Sequence, residues 1–430
     1  MDFSQLKIGQ LCNHFPNNQE LTTKTGLVRN LSRLCDYGID YEAWFPRCYD
    51  FTEERQIQEF LNDFQRTSVV NFVKKHVKYF KSIHKEQLKN LKKRYRKDPK
   101  GTIQRAKETF WLKPNNEKTL INIKMLKAGI TFVQYQTRLR NEILNDNRAE
   151  KWIQLTKNNK NLFETLSTLG QCNSLDSLKK IAPNDWRTPS AYLEFKTILS
   201  IKEYNKVYPQ SNITGTENIW VVKPSFSSRG IGVYCINSPK EIATAITKMK
   251  AKVVQKYIER TFLLNLPGPK GKLEKRKFDL RQWVLVTSIN PLVIYMFNSC
   301  YLRICGSEFV LEDFKDKYKH ISNFSIQKSN ERVNNIKDKL IMSVPQFVDH
   351  VKEHFGIRLD WQNEMIPKLS KIIKETIYSG YDSIEHKPNS FELYGFDFVL
   401  DYKLNPWLIE VNLSPACAER KDWLVKMLGN

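Results

Sequence analysis

The chain of 430 residues has no run of about 18 apolar residues, the least that spans a bilayer. Its first residues, MDFSQLKIGQLCNHF, lack the basic start and apolar core of a secretory signal. A soluble, non-secreted chain with no membrane partner is therefore expected. The eight cysteines (Cys12, Cys35, Cys48, Cys172, Cys235, Cys300, Cys305 and Cys417) form no CxxC pair. That argues against a zinc cluster and a disulfide framework, and for reduced thiols in the cytosol. Neither GxSxG nor a paired Cys/His signature occurs, so covalent catalysis by a protein nucleophile is not advertised. His350 and His354 form HxxxH without the glutamate of HExxH and read as a solvated helix face. There is no GxxxxGK[ST], no GxGxxG opening a helix, and no internal repeat.

Acidic residues are also in short supply. Lys plus Arg number 69 against 46 Asp plus Glu, a formal charge of +23, which attracts polyanions: nucleic acid, an anionic surface or an acidic polypeptide. With 41% hydrophobic and 12% aromatic residues the composition is globular, and the length suits two or three domains. Residues 1–150 read as a mainly helical, basic region, with helical periodicity at 56–79 and 121–143. Between them 74–107 is densely basic, KKRYRK at 92–97 included, and is either a solvated face or a polyanion-binding surface. Residues 151–258 read as a central domain with a phosphate loop, and 259–430 as the catalytic domain. Strands are expected at 219–223, 233–236, 253–258, 278–288 and 292–297. A capping box at Ser238, Pro239 and Glu241 opens a helix to about Lys250. Residues 265–276 read as a loop and 337–378 as helical. The fold class is α/β (α+β).

Four patterns carry candidate chemistry. In WVVKPSFSSRGIG, at 220–232, a strand delivers Lys223 into a loop with glycines that let backbone N–H groups approach phosphate; taken alone, the pattern favours a plain hairpin loop. VVQKYI, at 253–258, carries Gln255 and Lys256 on an apolar strand, either core or an adenine edge. In KFDLRQW, alternation puts Lys277, Asp279, Arg281 and Trp283 on one face and Phe278, Leu280 and Gln282 on the other. That is an internal salt-bridge ladder or a site facing ribose and phosphate. Arg303, just after an apolar strand, adds a guanidinium fork. Finally, GFDFVLDYKLNPWLIEVN at 395–412 reads as a hairpin about a turn of Asp401, Asn405 and Pro406. A register symmetric about that turn sets Asp397 across from Glu410, with Asn412 on the same face. Three hard oxygen ligands of this kind suit Mg2+; an ordinary half-buried hairpin is the other reading.

In this order the patterns resemble the ATP-grasp ligases of the tubulin tyrosine ligase-like family. Within it they are most similar to the tubulin glycylases that add the first glycine. The wording that carries the likeness is KPSFSSRGIG, QKYIER, KFDLRQWVLVTSINPL, YLR, HISNFSIQK and FELYGFDFVLDYKLNPWLIEVNLSP, with LTTKTGLVRNL and WFPRCYDF near the start. It covers most of the chain except much of the basic stretch after about residue 80; Phe226–Ser228 and Ile304–Ser307 depart from the commoner wording.

The resemblance implies ATP and Mg2+, with the nucleotide held between two sheet-containing domains. Lys223 would contact ATP phosphates, and Arg229, Gly230, Ile231, Gly232 and Val233 would form the loop over nucleotide and acceptor. Gln255, Lys256, Tyr257 and Ile258 would line the adenine pocket, and Lys277 and Asp279 would face the nucleotide. Arg281 and Arg303 would steady the transferred phosphoryl group or incoming carboxylates, with Asn323 near the active site. Asp397, Glu410 and Asn412 would hold Mg2+. The implied reaction turns a glutamate side chain of a tubulin tail into an acyl phosphate, which the amine of free glycine attacks. Tubulin or microtubules become the implied partner of the positive charge, rather than nucleic acid. A monomer in the cytoplasm and cytoskeleton, with a cilium or flagellum axoneme, is expected. A polyglutamylase of the same fold, or a binding module whose ligase site has decayed, are the alternatives.

Overall fold

The structure is a computed structural model and describes residues 10–109, 120–143, 160–171, 179–182, 184–227, 230–248, 251–268, 271–330, 340–415 and 422–429. It is an α+β protein, as the sequence reading expected. Its internal contacts divide it into two units, Met1–Ile57 with Ile219–Asn430, and Gln58–Asn218. The first unit is discontinuous because β1 (Cys48–Asp50) pairs antiparallel with β6 (Lys252–Lys256), Cys48 facing Gln255.

Among the described residues, the regular structure of the unit Gln58–Asn218 is helical apart from one two-residue pairing, β2 (Ile121–Asn122) with β3 (Trp186–Arg187). The helix Glu54–Ile83, which begins in the other unit, and the helix Ile123–Ile143 match the two periodic stretches read from sequence. Val69, Val73, Val77 and Phe80, at helical spacing, share a core with Leu126, Ile130, Val133 and Leu193. Asn122 caps the second helix by accepting from the Met125 N–H at 2.9 Å.

The other unit holds two antiparallel sheets. One runs β1–β6–β4–β5, where β4 is Trp220–Pro224 and β5 is Tyr234–Ile236. The other runs β11–β10–β9–β12–β13: β9 is Phe278–Ser288, β10 Val293–Ile304, β11 Ile341–Ser343, β12 Glu392–Leu400 and β13 Pro406–Leu413. The alternation read in KFDLRQW holds. Phe278, Leu280, Val284 and Val286 enter the main core with Phe347, Leu369, Ile373 and Phe396, whereas Trp283 packs on the opposite face with Tyr301 and Ile341.

Four local expectations change. The loop expected at 265–276 holds a strand pair, β7 (Leu264–Pro267) with β8 (Leu273–Arg276). β10 does not stop at Phe297; a bulge between Met296 and Cys300 resets its register and continues pairing to Ile304, so Arg303 lies within the strand. Of the helical stretch expected at 337–378, residues 337–339 lie outside the described residues. The rest is β11, the helix Val344–Phe355, which Gly356 (φ 67°) ends in a left-handed cap, and a π-helical turn Trp361–Met365 that leads into the helix Ile366–Ser379. His350 is buried against that core side of the helix, its ring 4.2 Å from that of His354, so only His354 is solvated. The capping box at Ser238 forms, with Glu241 accepting from the Asn237 N–H at 3.1 Å and opening the helix Pro239–Lys248.

The turn joining β12 to β13 is built on one buried carboxylate. Asp401 accepts from the N–H groups of Lys403 (2.8 Å) and Asn405 (2.9 Å), the Asn405 amide (3.2 Å) and the indole N–H of Trp407 (3.3 Å). Replacing Asp401 with Ala leaves these donors short of an acceptor and is expected to cost about 2 kcal/mol or more. The exposed neighbour Lys403→Ala should stay within about 0.5 kcal/mol. Melting curves of the two variants check this, and equal shifts would refute the role given to Asp401.

Candidate functional site

The hairpin closes with Leu400 opposite Pro406, a register that on its own would set Asp397 opposite Ile409. One extra residue in β13 changes this. Phe398 pairs with Leu408 and Asp397 with Glu410, which leaves Ile409 in a bulge. The pair expected from sequence therefore forms, but through a bulge rather than a symmetric turn. The bulge also presents the Ile409 carbonyl to the Lys223 ammonium of β4 at 3.4 Å.

Behind the hairpin lies a buried ladder of alternating charge. Arg281 on β9 faces Asp397, and Arg303 on β10 faces Asp279. Each arginine grips its partner through two nitrogens: Arg281 to Asp397 at 2.5 and 3.1 Å, and Arg303 to Asp279 at 2.6 and 2.8 Å. A cross-link from Arg303 to Asp397 at 2.8 Å joins the two pairs, and the Ser322 hydroxyl donates to Asp279. Burial alone would raise the Asp397 pKa; Arg281 and Arg303 reverse this and hold it at about 2.

In front of the ladder lies a cleft of about 110 Å3 that opens to solvent. Lys223, Lys277 and Lys24 all reach it, and each is anchored. Lys223 donates to Gln255 Oε1 at 2.6 Å, and Lys24 donates to the Ser227 carbonyl at 2.8 Å and stands 3.8 Å from Glu410. Lys277 donates to the Tyr257 hydroxyl at 3.1 Å and the His320 carbonyl at 3.0 Å, its ammonium 4.4 Å from the Tyr257 ring centroid. Burial lowers the pKa of both Lys223 and Lys277, with Glu410 acting the other way on Lys223. Burial, and then Lys277, lower His320 to about 4, so its ring is neutral at pH 7. With the Tyr257 hydroxyl 2.8 Å from Nδ1 and the Asp313 carbonyl 3.0 Å from Nε2, the network assigns the proton to Nε2.

A sequence profile of the tubulin-tyrosine ligase family matches residues 137–429. The chain belongs to the tubulin-tyrosine ligase family. Its fold is thus of the ATP-grasp-like α+β kind. Among its relatives, tubulin glycylase 3E of Tetrahymena thermophila is 35% identical over 99% of this chain and 32% of the relative. Protein monoglycylase TTLL8 of Mus musculus is 29% identical over 97% of the chain and 48% of the relative. Tubulin monoglycylase TTLL3 of Danio rerio is 28% identical over 97% and 52%. The chain therefore spans only about a third to a half of the length of these relatives.

The cleft gathers twelve residues singled out in the sequence: Lys223, Gly230, Val233, Gln255, Lys256, Tyr257, Ile258, Lys277, Asp279, Asn323, Asp397 and Glu410. Lys256 borders it, yet its ammonium is taken up by Glu259 and the Ile219 carbonyl, each at 2.6 Å. Arg281, Arg303 and Asn412 are not among the lining residues; all three bond to Asp397, the two arginines from β9 and β10 and Asn412 by donating its amide N–H at 3.1 Å. Ile231 is exposed, Gly232 does not line the cleft, and Arg229 lies outside the described residues. Gly230 has φ +76°, a left-handed conformation that favours glycine.

Sequence reasoning missed Lys24, His320 and Ser322. Lys24 had a signal. It is the first residue of the helix Lys24–Arg33, where the helix dipole disfavours a cation, and such a broken local rule marks a site. For a metal, the donors fit Mg2+: among the described residues no group of three His, Cys, Asp or Glu gathers, but two carboxylates and an amide do. Glu410 is the less engaged carboxylate, since both oxygens of Asp397 already accept from arginine.

Because the folded pKa of Asp397, about 2, lies below its ordinary 3.8, its charge stabilises the fold fully above about pH 4 and progressively less as pH falls toward 2. Asp397→Asn is expected to cost about 3 kcal/mol or more at pH 7, with the gap to the wild type narrowing below pH 4. Denaturation curves between pH 7 and pH 2.5 measure this; a gap that stays constant with pH would contradict it.

Proposed function

We propose that this chain is an ATP-dependent ligase that joins glycine to glutamate side-chain carboxylates in tubulin carboxy-terminal tails, starting the glycine branch. The observation that carries the ligase reading is the set of three lysines around the Asp397–Glu410 pair, an arrangement suited to a polyphosphate with its divalent cation. The choice of glycine rests on the names of the relatives, which are glycylases and monoglycylases.

In this reading Asp397, Glu410 and Asn412 hold Mg2+, and Lys223 and Lys277 face the phosphates of ATP. Gly230 and Val233, with the rest of the loop, cover the nucleotide. Gln255, Lys256, Tyr257 and Ile258 border its base, and Asp279 its ribose or phosphates. When bound, ATP supplies the phosphoryl group that makes a carboxylate electrophilic. The protein's own part is placement and charge: Arg281 and Arg303 fix the carboxylates that face the ligand, and Asn323 closes the cleft beside Gly230. Lys24 and Lys223 flank Glu410, so the anionic groups meet positive charge from both sides. The neutral His320 holds Tyr257 and Lys277 in place and adds no cation of its own. Such a protein works on the cytoskeleton in the cytoplasm, axonemes included.

The test is ADP release by purified protein with ATP, tubulin and single amino acids. Glycine should stimulate release, and Glu410→Gln should reduce it on the order of 100-fold. Labelled glutamate incorporated in preference to glycine would identify a glutamylase instead. Salt-sensitive tail binding without ADP release would identify a decayed module.

A further inference from the structure

The unit Gln58–Asn218 contains 31 Lys plus Arg against 15 Asp plus Glu, a net +16 of the chain's +23. Within it, residues 74–107 hold fourteen basic side chains and two acidic ones. Lys85, Lys89, Lys92, Lys93, Arg94, Arg96, Lys97 and Lys100 are all exposed. This charge surrounds a definite groove. The helices Lys85–Lys97 and Pro99–Glu108, with the start of Ala191–Val207, enclose a pocket with about 630 Å3 of free space, open to solvent. Its polar lining comprises Gln87, Asn90, Arg94, Thr102, Arg105 and Thr109, and Leu91, Ala106 and Ala191 form the apolar part.

Two observations mark the groove as a binding site rather than a solvated face. Thr102 is only 2% exposed, and its hydroxyl has no hydrogen-bond partner among the described residues. A buried hydroxyl left in this state favours a ligand oxygen. Arg94 makes no ion pair among the described residues, and Arg105 makes an exposed one with Asp98 at 3.3 Å, a contact of little strength. Asp98 already accepts from the Gly101 N–H as the cap of its helix. Two guanidinium forks, two amides and a hydroxyl are thus available together.

We propose that this groove is a second anion site that holds side-chain carboxylates of a glutamate-rich polypeptide. The identity of that polypeptide rests on the ligase reading; the site itself rests on the groove. Nucleic acid fits less well because single-stranded binders present aromatic faces to bases. Tyr95, the aromatic residue of KKRYRK, is instead turned in against Phe195 with ring centroids 5.1 Å apart. A carboxylate needs only the forks and donors. Such a site, with every residue in Gln58–Asn218, retains an acidic tail independently of the reaction and draws it in through the surrounding lysines.

The experiment is fluorescence anisotropy of a labelled glutamate-rich peptide with the full chain, in the absence of ATP and amino acid. Arg94→Gln with Arg105→Gln is expected to weaken binding about tenfold or more. Lys92→Gln with Lys93→Gln removes the same charge outside the groove and should weaken it about threefold or less. Thr102→Val, which keeps the side chain's shape, should weaken binding severalfold and serves if the arginine pair does not fold. Equal losses in the two double variants would leave only a diffuse field and overturn the site. So would an unlabelled single-stranded RNA of equal charge that displaces the peptide as well as unlabelled peptide does. Because no turnover is measured, peptide binding in the expected pattern without glycine ligation would refute the ligase reading and keep the groove. Ligation with binding unchanged by the arginine pair would do the reverse.

Discussion

The cleft depends on the ladder Asp279–Arg303–Asp397–Arg281, four charges on neighbouring strands of one sheet, each at least nine-tenths buried. Charges taken out of water at that depth cost several kcal/mol apiece unless each is paired with good geometry. Here both pairs are two-pronged and joined through Arg303, so none of the four side chains can move without leaving another uncompensated. Fixed in this way, Asp397 and Asp279 turn toward the cleft as oriented anions. The three lysines that line the cleft then face fixed anions. The same network explains why two arginines expected to contact a ligand stand one layer behind it.

The second constraint is the bulge at Ile409. It sets Glu410 rather than Ile409 opposite Asp397, and so determines which side chain joins the carboxylate pair. The main chain freed by the bulge accepts from Lys223, which ties the five-stranded sheet to the four-stranded one at the cleft. Lys24 adds a tie from the amino-terminal helix to the Ser227 carbonyl and Glu410. Segments far apart in sequence thus meet around one anionic pair, an arrangement that suits a site where phosphate and metal must be placed together.

Much of this was legible in the sequence because it follows from period and pairing. Alternation alone placed Asp279 and Arg281 on one face, and the turn chemistry of Asp401, Asn405 and Pro406 set the hairpin. What was not legible arises from irregularities. The bulge in β10 carries Arg303 back into the sheet, and the bulge in β13 selects Glu410; neither has a local sequence signature. Lys24 and Cys48 meet the site's other residues only through folding contacts between segments far apart in the chain. His350 shows the opposite error. Its spacing to His354 suggested water, but His350 lies on the helix among the buried Phe347 and Val351 and is buried with them.

The proposal at the centre of the account is that glycine is joined to glutamate side chains of an acidic tail. The most direct test is mass spectrometry of tubulin tails after incubation with the purified protein, ATP and each amino acid separately. The account predicts single glycines on glutamate side chains in the glycine reaction and unmodified tails in the others. Tails extended by glutamate, or unmodified with glycine and ATP present, would contradict it.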